Sequence, residues 1–296
     1  MNTTNTSPQD TTGIQKRSIF NRIKTTGTFS APAITLVGLL SLGSLSMVAH
    51  AELSPEDRGL EIAKEADKRD RGWKDSQASV KMILINKNGE QTVRDMRMMA
   101  LEVRMDGDKS LTIFDDPRDV RGTALLTYSH KVDDDDQWLF LPALKRVKRI
   151  ASGNKSGPFM GSEFAFEDLT SQEVEKYTYK YLRDEPCPEP NQNLMCFVSE
   201  SYPVNKDSGY TKQIAWIDQQ EYRSFKVEFY DRKDSLLKTL NISDYHQYLN
   251  KFWRGHESLM VNHQTGKSTI LKVDNIEFKT GLGENDFTQN SLKRAR

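Results

Sequence analysis

Residues 138–169, WLFLPALKRVKRIASGNKSGPFMGSEFAFEDL, decide how the rest of the chain is read. The stretch opens as a short apolar strand, passes Pro142 and becomes a basic strand with Lys145, Arg146, Lys148 and Arg149. It then crosses a Gly/Ser loop and closes on an aromatic segment in which Phe159, Phe164 and Phe166 stand beside Glu163, Glu167 and Asp168. No nucleophile elbow, phosphate loop or metal box occurs in it. The residues point to a β-rich binding protein.

Outward from this stretch the apolar residues alternate with a period of two, the signature of half-buried strands. Residues 80–85 and 92–104 make a hairpin around Asn86-Lys87-Asn88-Gly89, with glycine where the turn needs positive φ. In the second strand Met99, Leu101 and Val103 share one alternating face, read as the inward one. Further strands are expected at 111–114, 123–129, 177–182, 196–202, 210–217, 225–230, 236–243, 258–262 and 269–278. A helix is expected over 54–71, capped by Ser54-Pro55, and a short one over 170–175. Ten or more strands without βαβ alternation predict a mainly β fold, one strongly curved or closed antiparallel sheet in a single domain.

Residues 1–51 read as a signal peptide, with basic Lys16, Arg17, Arg22 and Lys24, an apolar run at 34–48 and the small-x-small site Ala49-His50-Ala51. The apolar run is shorter than the roughly 20 residues of a membrane span. The expected product, residues 52–296, is exported and soluble. The whole chain carries 42 basic and 42 acidic residues; without the leader 38 and 41 remain, so the basic strand is a local feature and not a polyanion-binding surface. Cys187 and Cys196 bracket a Pro/Asn-rich interval and read as one disulfide, with a metal pair as the alternative.

Other constellations are weak. Ser152-Gly-Asn-Lys155, Ser243-Asp244 and Lys279-Thr280-Gly281 imitate the order of penicillin-binding motifs, but Ser152 lies in a Gly/Ser loop and Tyr245 replaces the required Asn. The run Asp133–Asp136 lacks the alternating ligands of a calcium loop. His130, His246, His256 and His263 have no ligand spacing. No catalytic residue, cofactor or metal is therefore expected. The Lys145–Arg149 cluster reads either as an edge strand guarded by charge or as a contact for anionic headgroups or an acidic partner; nucleic acid is not expected. The methionines and phenylalanines read as core or as an adaptable binding lining.

The runs DVRGTALL (119–126), WLFLPALKRVKRI (138–150), GSEFAFEDL (161–169), residues 177–187 and NHQTGKS (262–268) resemble the periplasmic outer membrane lipoprotein-sorting proteins, relatives of the carrier LolA. The likeness spans essentially all of residues 52–296. It implies an open, incomplete antiparallel barrel with a few helices on its concave side and acyl chains as cargo. It further implies a shuttle from an inner-membrane exporter of the resistance-nodulation-division (RND) superfamily toward an outer-membrane acceptor, the alternative being an adaptor of such an exporter that carries nothing. On that reading Met99, Leu101, Val103, Phe159, Phe164 and Phe166 would line the cargo cavity.

Overall fold

A computed structural model describes residues 53–294, within a compact unit of residues 51–296. The segment read as a leader lies outside the described residues. The first element is helix α1 (Pro55–Arg69), where the Ser54 hydroxyl accepts the Asp57 N–H at 3.0 Å, Pro55 opens the first turn, and Glu56 and Asp57 meet the positive end of the helix dipole.

Among the described residues thirteen strands form one antiparallel sheet. The first six are β1 (Asp75–Ile85), β2 (Gln91–Leu101), β3 (Lys109–Asp116), β4 (Ala124–Tyr128), β5 (Asp136–Leu141) and β6 (Arg146–Ile150). The rest are β7 (Tyr177–Pro186), β8 (Met195–Pro203), β9 (Tyr210–Asp218), β10 (Ser224–Asp231), β11 (Leu236–Tyr248), β12 (Phe252–Asn262) and β13 (Ser268–Phe278). Strands β1 to β6 meander to one side and β7 to β13 to the other, and the two halves join where β1 pairs β13, Met82 opposite Leu271. The sheet is not closed. Its free edges are β6 and β7, consecutive in the chain but unpaired, so the basic strand is an edge strand. The β1–β2 turn holds Gly89 at φ 85°, as the hairpin reading requires.

Alternation gives the sheet two apolar faces. On the concave face Val80, Met82, Met96, Phe114, Leu125 and Leu139 pack with Phe159, and further round Phe229 and Met260 pack with Phe164. On the opposite face Leu111, Ile113, Ala124 and Leu126 are covered by Phe287 and Leu292, which belong to the C-terminal tail and its short helix α2 (Gln289–Arg294). Cys187 and Cys196 are disulfide-bonded and buried against Val198, Trp216 and Phe225.

Residues 151–176 connect the two free edges through 3₁₀ turns and fill the concave face of the first half of the sheet. Phe159 is 1% exposed, with ring centroids 5.7 Å from Phe114 and 5.6 Å from Phe166; Phe164 is 4% exposed. Acidic side chains fasten this segment. Glu163 accepts the Asn262 amide at 2.7 Å; Glu167 accepts the Ser208 hydroxyl at 2.8 Å and the Gly209 N–H at 2.9 Å. Asp168 takes the Ala165 N–H at 2.6 Å, the Tyr210 hydroxyl at 2.7 Å and the buried Lys238 ammonium at 2.6 Å. Lys238 also donates to the Glu163 carbonyl at 3.0 Å. On the first-half side Arg94 donates to the Met160 carbonyl at 2.6 Å.

Candidate functional site

In the second half of the sheet Phe164 reaches only Tyr210, Phe229 and Met260, and the strands beyond are covered by α1. Helix and sheet do not meet everywhere, and a hollow of about 360 Å³ lies between them, at the small end of the range for ligand pockets. Ile62, Ala63 and Ala66 of α1 form its roof, and Ala215 and Ile217 of β9 with Val227 of β10 form an apolar floor. Ser199 and Ser201 of β8 and Gln213 of β9 make one side polar. Small residues on both walls leave the space: alanines and serines stand where the first half of the sheet presents Met, Leu and Phe.

At the end of α1 the hollow becomes acidic. Asp67, Asp70, Asp108 and Glu173 line it and also line a neighbouring hollow of about 310 Å³ walled by Trp73, Glu102 and Val103. Asp108 accepts the Val103 N–H at 2.9 Å, and burial, reinforced by the charges of Glu173, Glu102 and Asp70, pushes its carboxyl up to about 7. Burial also raises Glu173, which accepts the Ser171 hydroxyl at 2.9 Å, and Asp70, although Arg254 pairs with Asp70. Carboxylates held above their ordinary range around a cavity are a common mark of a functional site. The arrangement offers space for hydrocarbon and an end that rejects an anionic group.

Helix α1 is the loosest wall. Gly59 and Ile62 are its buried residues, whereas the 151–176 segment buries Phe159 and Phe164, each worth about 1.5–3 kcal/mol, besides the Lys238–Asp168 pair. Gly59 is where the helix touches β7: a Cβ there would stand 2.8 Å from the backbone N of Lys180 and of Tyr181. Gly59→Ala gains about 1 kcal/mol of helix propensity, but overpacking costs about 1–3 kcal/mol. A net loss of about 1–2 kcal/mol is expected in urea unfolding; a stabilised variant would show that the helix is not seated on β7.

None of the six residues expected to line a cargo cavity lines the hollow beneath α1. Met99 and Leu101 point to the opposite face, packed with Leu111, Ile113 and the Phe287–Leu292 tail; their strand neighbours Met96 and Met98 are the concave ones. Val103 lies beyond the end of β2 and borders the second hollow. Phe159, Phe164 and Phe166 are on the concave face, as core. An alternating strand buried on both sides looks the same whichever face is named inward. Lys145, Arg146 and Lys148 are exposed and form no ion pair among the described residues, while Arg149 pairs with Asp136.

A family model described only as "Uncharacterized protein" matches residues 106–294. No curated protein matches the chain. Among solved structures, an outer membrane lipoprotein-sorting protein domain from Vibrio parahaemolyticus is 58% identical with a TM-score of 0.78, covering 81% of this chain and 100% of that one. A DUF1329 family protein from Desulfovibrio piger is 26% identical at TM-score 0.76, with the same coverage. A LolA superfamily protein from Nitrosomonas europaea, 19% identical at TM-score 0.63 and again with 81% and 100% covered, shares the fold. An unclosed antiparallel sheet wrapped round an internal segment, with a helix over the remaining hollow, is thus a LolA-like open barrel. The chain belongs to the outer membrane lipoprotein-sorting protein family.

Proposed function

We propose that this chain is a non-catalytic carrier that holds the hydrocarbon of a lipid or lipid-modified molecule in the hollow beneath α1. The observation that carries the reading is that hollow, with an apolar floor and a roof that is its least firmly packed wall. A carrier is physically useful because at ~0.8 kcal/mol per CH₂ a long acyl chain in water costs on the order of 10 kcal/mol. Removal of residues 1–51 leaves residues 52–296 as a periplasmic carrier domain, loaded by an inner-membrane RND-type exporter and unloaded at the outer membrane. Graded affinity from donor to acceptor moves the cargo without ATP at this chain. The sorting function named for the Vibrio domain supports the cargo class.

The test is extraction of the purified periplasmic chain with organic solvent, followed by mass spectrometry. Co-purifying lipid on a chain that begins at Glu52 is the expected result; a chain that keeps its apolar leader and stays with membranes contradicts it. A second reading, an adaptor of the exporter without cargo, draws on the aromatic filling of half the concave face. It predicts lipid-free protein that still binds its membrane partner.

The exposed edge strand supplies a docking surface in either case. Replacing Lys145, Arg146, Lys148 and Arg149 together by Gln should weaken association with anionic vesicles or with the partner and remove most of its salt dependence, with little change in melting temperature. Unchanged, salt-insensitive association would leave the cluster with edge protection alone.

A further inference from the structure

At one end of the β11–β12 hairpin, away from the aromatic filling, three metal-ligating side chains meet. Asp244 and His246 stand two residues apart on β11; His256 on β12 falls opposite Asp244, between the pairs Ser243–Glu257 and Tyr245–Gly255. One ligand atom from each lies within 4.8 Å of the other two. His246 Nε2 is 3.0 Å from Asp244 Oδ1, and the two imidazole centroids are 4.2 Å apart with their planes inclined at 42°. Nothing in the linear spacing suggests this, because the two histidines come together only through strand register.

The protonation of His256 fits a ligand. Its Nδ1 lies 3.1 Å from the Val273 carbonyl, which can only accept, so Nδ1 carries the proton and Nε2 presents its lone pair. A ligating histidine is commonly held in this way, its second nitrogen donating to a backbone carbonyl. That lone pair now accepts the Tyr248 hydroxyl at 2.6 Å, a neutral partner that a cation displaces. Access is free: the side chains of Asp244 and His246 are 61% and 53% exposed.

We propose that Asp244, His246 and His256 form a binding site for Zn²⁺ or a similar borderline dication, with two imidazoles and a carboxylate as ligands and water completing the shell. Two imidazoles select such ions over Mg²⁺ or Ca²⁺, which take oxygen ligands. The site is separate from the hollow beneath α1, yet Arg254, two residues before His256, pairs with Asp70 at the end of that helix.

The test is Zn²⁺ titration of the purified, tag-free chain in competition with a chromophoric chelator. One equivalent should bind, with excess Mg²⁺ failing to compete. His246→Ala and His256→Ala should each weaken binding at least tenfold, whereas His263→Ala, on a different turn, should bind like the parent. Because His256 also supports Tyr248 and Val273, the decisive variant is the exposed His246→Ala, with circular dichroism confirming its fold. Parent-like affinity in His246→Ala, or an equal loss in His263→Ala, overturns the proposal.

Discussion

Replacing Lys238 by Met is expected to cost about 3–5 kcal/mol of stability, the loss typical of breaking a buried ion pair from one side. The ammonium and the Asp168 carboxylate are 2.6 Å apart, with side chains 4% and 6% exposed, and Met preserves the alkyl stem against the Tyr210 and Phe229 rings. Asp168 would keep the Ala165 N–H and the Tyr210 hydroxyl but lose its counter-charge. The segment that fills the first half of the sheet would lose its tie to β11. Adding Asp168→Asn should recover part of the loss, since an uncharged pair needs no compensation. Urea unfolding of the single and double variants checks this; a single-variant loss below about 1 kcal/mol would mean that the pair is not what fastens the segment.

The second large effect is in pH. Unfolded, the Asp108 carboxyl titrates near 3.9; folded, at about 7. Between these values the folded chain holds a proton that the unfolded chain has released, so stability is highest at the acid end of the window and falls as pH rises toward 7. The whole shift corresponds to a loss on the order of 4 kcal/mol. Glu173, also raised by burial, adds to the same slope. Asp108→Asn keeps a carbonyl to accept the Val103 N–H but cannot ionise. It should match the parent only below about pH 4, exceed it modestly at pH 5 and by more at pH 8, and so flatten the slope between. Urea midpoints at pH 5, 6, 7 and 8 decide; a parent more stable at pH 8 than at pH 5 contradicts the argument.

Much of the framework was legible in the sequence, and particular residues explain where reading stopped. The helix at Ser54-Pro55, the Gly89 hairpin, the edge character of the basic strand and the Cys187–Cys196 bond each rest on a local rule. The far ends of β11 and β12 did not read as strand, because their residues are polar and the turn uses Leu249 and Asn250 at positive φ in place of glycine. The tail carrying Phe287 and Leu292 has too few apolar residues to signal that it covers a sheet face. Glu163, Glu167 and Asp168 were visible as charges, but their partners, Asn262, Ser208 and Lys238, lie far along the chain. The hollow itself is made by small residues, Ala66, Ser199 and Ala215, whose absence of bulk leaves no mark in an alternating pattern.

The central claim, that the hollow beneath α1 holds hydrocarbon, is tested most directly by titrating an uncharged fluorescent monoacylglycerol into the parent chain and Ala215→Trp. An indole at position 215 would occupy much of the 360 Å³ between β9 and α1. Saturable binding to the parent, weakened at least tenfold in a variant that still unfolds cooperatively, is the predicted result. A parent that does not bind the probe, or an Ala215→Trp chain that binds it equally well, would contradict the claim.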